Sequence, residues 1–132
     1  MKVVALDYGS ARTGVAVSDP TGTIARPLGV VERAASEAGL ARLAELVRAE
    51  GADRVVVGLP LTLRGEHGAQ AKETAAFVEA LRSAVEVPVE SYDERFTTGL
   101  AASVGSDDAP EDARAAAHLL SSYLEWTSAG RG

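Results

Sequence analysis

Three places in the chain put carboxylates directly at the end or start of an expected element: Asp7, the pair Asp93-Glu94, and Asp112. Asp7 closes the apolar run Val3 to Leu6, which reads as a strand buried on both faces. An ionised carboxylate is costly to desolvate unless it is paired or binds a metal. Asp93-Glu94 directly follows another expected strand, and Asp112 lies in the first turn of a helix. Several converging carboxylates with no cysteine suit a hard divalent cation, Mg²⁺ or Mn²⁺, bound through oxygen. Two such ions about 3.5–4 Å apart can activate water and stabilise the leaving oxygen in phosphodiester cleavage. Plainer roles stay open at each position. Asp7 also suits the cap of the turn Tyr8-Gly9-Ser10, and Asp112 would oppose the positive end of any helix dipole. Asp93 and Glu94 also read as a solvated pair leading into a helix capped by Thr97. His67 and His118 are too few and too far apart in sequence for a zinc site.

The elements that must position these groups follow from periodicity. Val15 to Val17 is a second apolar run, joined to the first by a short loop containing Gly9 and Gly14, where a ligand's phosphate could approach the backbone. Ile24 to Val31 is a third strand, placed toward an edge by Pro27. Ser36 to Glu50 repeats leucine and valine at helical spacing, with Ser36 as N-cap and Gly51 as the stop. Asp53 to Gly58 is a buried strand and Leu59 to Gly68 a polar loop. Ala69 to Val85 is a helix with Ala76, Phe77, Ala80, Leu81 and Ala84 on its apolar stripe. Val87 to Tyr92 is the fifth strand, Thr97 to Val104 a short helix, and Pro110 to Trp126 a final helix burying Ala113, Ala116, Ala117, Leu120 and Leu124. Asp19, ahead of Pro20 and Gly22, initiates a turn. Three strands followed by β/α alternation predict an α/β fold with a five-stranded mixed sheet. An antiparallel meander continues into parallel strands, with helices on both faces. The carboxyl ends of strands one, four and five then share one edge, where open α/β sheets bind ligands.

Composition narrows the classes. A chain of 132 residues with 46% hydrophobic content and mean hydropathy +0.03 fits one globular domain, residues 1 to 132. Cysteine is absent, which excludes disulfides and thiolate metal sites. Asp7 interrupts the first apolar run, so no signal peptide is read there, and nothing approaches a membrane-spanning run. A cytoplasmic location is the default expectation. The net charge of −6 argues against indiscriminate nucleic-acid binding, so a polyanion would be held by a local patch or through metal ions.

Taken in order, LDYGSARTGVAVSD, VVGLPLTLRGEHGAQA, YDERFTT and DARAAAHLLSSYLEW closely resemble the YqgF family. These are Holliday-junction-resolvase-like proteins, also described as "putative pre-16S rRNA nuclease", and the resemblance spans nearly the whole chain. It implies an RNase H-like fold and a metal-dependent nuclease of RNA, DNA or both, in rRNA end maturation, DNA repair or recombination. Carried over by position, Asp7 matches the strand-one catalytic Asp, Glu94 the Glu of the Asp-Glu-Arg signature, and Asp112 the Asp opening the last helix. The implied mechanism is hydrolysis with two Mg²⁺ or Mn²⁺ ions, Asp7 bridging them and Glu94 and Asp112 each completing one shell. The 3′ oxygen leaves, so products carry 5′ phosphates. Gly9, Arg12, Arg64, Lys72, Arg95, Thr97 and Thr98 are the candidates for substrate contacts, the arginines and Lys72 positioning backbone phosphates. A homodimer is left open.

Two features depart from the pattern. Relatives of the wider RNase H-like class often carry an acidic residue at the end of strand four, where this chain reads Gly58-Leu59-Pro60-Leu61-Thr62. The middle ligand then comes from Asp93-Glu94. The connector from Gly99 to Glu111 is short and acidic, and it includes Asp107 and Asp108. Two other classes remain at this level. One is a nucleotide-phosphate-binding, ATPase-like domain, although those proteins need a second domain and a second glycine hairpin. The other is a non-catalytic nucleic-acid-binding module of the same fold.

Overall fold

A computed structural model describes residues 1–60, 68–94 and 109–128. In chain order these form β1 (Val3–Asp7), β2 (Arg12–Ser18), β3 (Ala25–Glu32), α1 (Glu37–Glu50), β4 (Arg54–Leu59), α2 (Ala69–Ala84), β5 (Val89–Asp93) and α3 (Glu111–Ser128). The strands make one sheet ordered β3-β2-β1-β4-β5. β1 pairs antiparallel with β2 and β2 with β3, whereas β1–β4 and β4–β5 are parallel. This is the mixed sheet that the periodicity predicts. The expected helix over 97–104 lies outside the described residues.

Each strand of the centre is apolar on both faces because helices cover both. Val4, Leu6, Val15, Val17, Val55 and Val57 pack against Leu43 and Val47 of α1 and Phe77, Val78 and Leu81 of α2. Val3, Ala5, Ala16, Val56 and Tyr92 pack under α3, against Ala116, Ala117, Leu120, Tyr123 and Leu124. Small residues from both sides of this second layer let α3 lie close to the sheet. The stripe of α2 is rotated from the sequence expectation. Its buried positions are Ala71, Thr74, Phe77, Val78 and Leu81, and Ala76 faces solvent. Alanine fits either environment, so spacing alone does not fix the face of an alanine-rich helix.

Local chemistry ends the elements as expected. Ser36 accepts a hydrogen bond from the Gly39 N–H at 3.0 Å, and Gly51 stops α1 in the left-handed region at φ 64°. Pro27 sits on edge strand β3, opposite Ala16, beside a register shift that leaves Leu28 of β3 without a partner in the register between Val15 and Ala16 of β2. Asp19 organises its turn by accepting from the Thr23 and Ile24 N–H groups at 2.8 and 2.9 Å. Those hydrogen bonds hold its carboxyl well below the ordinary range. No described helix is long and apolar enough to cross a membrane.

Candidate active site

The parity of three strands aims the side chains. Asp7 alternates with Val3 and Ala5, Gly58 with Val56, and Glu94 with Tyr92. Those four partners all belong to the layer beneath α3, so Asp7, Gly58 and Glu94 fall on the α3 side of the sheet. Glu94 lies just beyond β5, and its side chain crosses the bare face of Gly58. A Cβ on Gly58 would stand 2.6 Å from Glu94 Oε1 and 3.1 Å from Leu119 Cδ2. The missing carboxylate of strand four is therefore replaced by an absence of side chain, which lets Glu94 reach over β4 toward Asp7. Asp93, one residue earlier, takes the opposite parity.

Asp7 and Glu94 are joined by a hydrogen bond, which requires a shared proton. Burial is the main cause pushing Glu94 up to about 7, followed by the negative charge of Asp7, the hydrogen bond to it, and the charge of Asp93. Asp7 is also raised, first by burial and also by the charge of Asp112, while the hydrogen bond from Glu94 lowers it. The pair titrates as a unit, and burial with mutual repulsion favours keeping one shared proton between the two acids. Two acids pressed together at a sheet edge need either that proton or a cation.

Asp112 approaches from α3. Gly14 is the register partner of Asp7 on β2, and a Cβ there would fall inside the backbone carbonyl of Asp112. The start of α3 thus rests directly on the strand beside Asp7. The Asp112 carboxylate is turned to Arg12, whose Nε lies 3.2 Å from Oδ2. The pair is solvent-facing, with 67% of the Arg12 side chain exposed, so it contributes ~0–1 kcal/mol. Among the described residues, no group of three Asp, Glu, His or Cys side chains is close enough to hold a metal as it stands. The Asp112 carboxylate is engaged by Arg12 rather than by the other two acids. The donor set still fits a hard divalent cation: oxygen ligands only, two of them sharing a proton that an ion would displace.

The glycines expected to admit a ligand's phosphate are used by the protein itself. The bare face of Gly14 meets α3, and a Cβ on Gly9 would stand 2.5 Å from the Arg12 carbonyl oxygen. The Gly9 N–H and carbonyl also meet Thr13 Oγ1, at 3.3 Å each. Tyr8 ties this turn to α2. Its hydroxyl donates to Glu73 at 2.9 Å and its ring stacks on Phe77 at 4.4 Å. Burial and then Glu73 push the Tyr8 phenol up to about 12. Lys72, next to Glu73, is exposed on the first turn of α2 at this same end. Arg64, Arg95, Thr97, Thr98, Asp107 and Asp108 lie outside the described residues. Sequence reasoning missed the role of Gly58, although a glycine closing the valine run of β4 is a signal of close approach.

An RNase H-like sheet with paired acids at its carboxyl edge defines the class. The family model described as "RuvX: Holliday junction resolvase" matches residues 1–126, and the chain belongs to that family. Relatives named "Putative pre-16S rRNA nuclease" include one from Chloroflexus aggregans, 48% identical over 96 residues, covering 73% of this chain and 68% of that protein. The match to a Chloroflexus aurantiacus protein of that name, 47% identical, covers 63% of its length. Others run full length. That of Desulforudis audaxviator is 39% identical and covers 99% of each chain, and that of Rubrobacter xylanophilus is 45% identical and covers 94% of this chain and 92% of its own. In fold, the chain is similar to Thermus thermophilus RuvC in complex with Holliday junction substrate. The TM-score is 0.68 at 19% identity, covering 98% of this chain and 96% of that one.

Proposed function

We propose that the chain, as one domain over residues 1–132, is a divalent-metal-dependent nuclease that trims the ends of precursor 16S rRNA in the cytoplasm. The observation that carries this is the Asp7–Glu94 pair, two carboxyl groups hydrogen-bonded to each other at the carboxyl edge, with Glu94 lying across the bare face of Gly58. Full-length relatives named for pre-16S rRNA support the choice of RNA substrate. Asp7, Glu94 and Asp112 would hold Mg²⁺ or Mn²⁺, and when bound these ions polarise the phosphate and supply a nucleophilic water.

The chain's own residues do the rest. For the pair to hold an ion, Glu94 would have to release the shared proton to solvent, ending the hydrogen bond that offsets the burial of Asp7. Asp112, now paired with Arg12, would have to release it to hold an ion, and the exposed Arg12 guanidinium would then be available to a backbone phosphate through charge-assisted hydrogen bonds. Tyr8, bound to Glu73 and stacked on Phe77, keeps the turn after Asp7 fixed while this exchange occurs. Leu119 of α3 approaches the same bare face of Gly58 that Glu94 crosses, which packs α3 against this side of the pair. The test is a titration of Mg²⁺, Mn²⁺ and Ca²⁺ against end-labelled RNA carrying a pre-16S end and against a four-way DNA junction. The expected result is metal-dependent cutting of the RNA to products with 5′ phosphates. Cutting of the junction alone would reassign the substrate, and no cutting of either would remove the nuclease reading.

A further inference from the structure

Arg33 occupies a backbone conformation that suits glycine or asparagine better. Its φ of 48° lies in the left-handed region, where a side chain with a Cβ is uncommon. Several contacts pin it there. The Arg33 N–H donates to the Ala11 carbonyl at 3.0 Å, and its own carbonyl accepts from the Ser36 N–H at 2.9 Å and the Ser36 hydroxyl at 2.6 Å. The first of these bonds fastens it to the turn that carries Gly9 and Arg12. Register agrees, since Arg12 is paired with Glu32. Arg33 therefore stands at the edge where β1 delivers Asp7. Beside it opens a hollow of about 410 Å³ between the end of β3 and the start of α1, lined by Val30 to Arg33, Ser36, Gly39 and Arg42. Arg33 and Arg42 are both exposed there. Neither makes an ion pair with a described residue, and Glu32 is the one acid in the lining.

We propose that Arg33 and Arg42 form a phosphate-binding subsite for the substrate's backbone, away from the phosphate that is cut. This rests on the nuclease reading for the identity of the polyanion. A chain of net charge −6 has to grip nucleic acid through a local cluster, and Arg12 is taken by Asp112 until the site fills. Arg33 and Arg42 both line this hollow, and guanidinium groups bind phosphate oxygens by charge-assisted, often bidentate, hydrogen bonds. The hydrogen-bonded left-handed backbone fixes the point from which the Arg33 side chain extends.

The test compares the parent with Arg33→Gln/Arg42→Gln and with Arg26→Gln/Arg48→Gln. The latter removes the same charge far from this edge, since Arg26 pairs with Val17 at the start of β3 and Arg48 lies in the last turn of α1. Binding of a fluorescent RNA oligonucleotide is read by anisotropy in constant Ca²⁺ across a monovalent salt series, with circular dichroism confirming the fold of each variant. The expected result is roughly ten-fold weaker binding at low salt for the first variant, and a salt slope shallower by about 1.4, near 0.7 per lost contact to a single strand. The control should match the parent. Equal losses in both variants, or an unchanged slope in the first, would overturn the subsite. Cleavage in Mn²⁺ at saturating RNA separates the two ideas, because a parent that binds but never cuts sinks the nuclease reading while the binding contrast still decides the arginines.

Discussion

At the residue scale, the shared proton of Asp7 and Glu94 would make metal binding at the proposed site pH-dependent. A folded-state value of about 7 for Glu94, against an ordinary 4.5, means that the folded metal-free chain holds a proton the unfolded chain has released. That raised value contributes stability present in full below about pH 4.5 and lost as pH rises through 7. Metal-free protein should therefore unfold at a temperature lower by roughly 2–5 °C at about pH 8 than at about pH 5 from this pair alone. Glu94→Gln should flatten that dependence and Mn²⁺ should reverse it, as read by calorimetric melts at both pH values. A slope unchanged by Glu94→Gln would show that the proton resides elsewhere. Strand parity also separates the two neighbouring acids. Glu94→Gln should lower cleavage on the order of 10³-fold, about 4 kcal/mol of barrier, whereas Asp93→Asn should cost less than ten-fold. The reverse ranking would hand the ligand role to Asp93. These two acids were legible as a pair in the sequence, where the resemblance already pointed to Glu94; the burial of Tyr92 in the layer beneath α3 adds the side of the sheet on which Glu94 lies.

At the element scale, two glycines determine how closely the catalytic edge can assemble. Gly58→Ala sets a methyl group against Glu94 Oε1 and Leu119 Cδ2. The flexible Glu94 side chain can give way, so the expected outcome is a loss of about 1 kcal/mol in denaturant unfolding with a disproportionate, at least ten-fold, fall in cleavage. Gly14→Ala meets the backbone of Asp112, which cannot yield without moving α3. It should cost ~3 kcal/mol and be visible as reduced stability before any assay of activity. Equal effects of the two substitutions on stability would contradict this division. The strand order, the edge position of β3 and the capping of α1 by Ser36 and Gly51 could be read from apolar runs, Pro27 and cap chemistry. The face of α2 could not, because alanine-rich spacing leaves Ala76 and Ala71 equivalent until Phe77 and Leu81 choose the core. The Arg12–Asp112 pair was also hidden, since it joins residues 100 positions apart that only the β2–α3 contact brings together.

At the scale of the whole molecule, a chain of net charge −6 with a buried acid pair at the proposed site repels the polyanion it is proposed to cut. Metal ions change that sign locally, since they are the largest positive charges such a site can hold. Binding of RNA should accordingly be weak without divalent ions and strengthen with Ca²⁺, measured by anisotropy with and without chelator. Equal affinity in both conditions would mean that the arginines alone hold the substrate. The remaining question is whether Asp7, at the end of the central strand, is the residue on which hydrolysis depends. Asp7→Asn preserves shape and removes charge, so its melting temperature in metal-free buffer should equal or exceed that of the parent, because the burial of a carboxylate is relieved. The decisive measurement is the rate at which this variant cuts end-labelled pre-16S RNA in Mn²⁺ beside the parent. A fall on the order of 10³-fold or more with the fold retained is the expected result, and cleavage at the parent rate would contradict metal-dependent catalysis at Asp7.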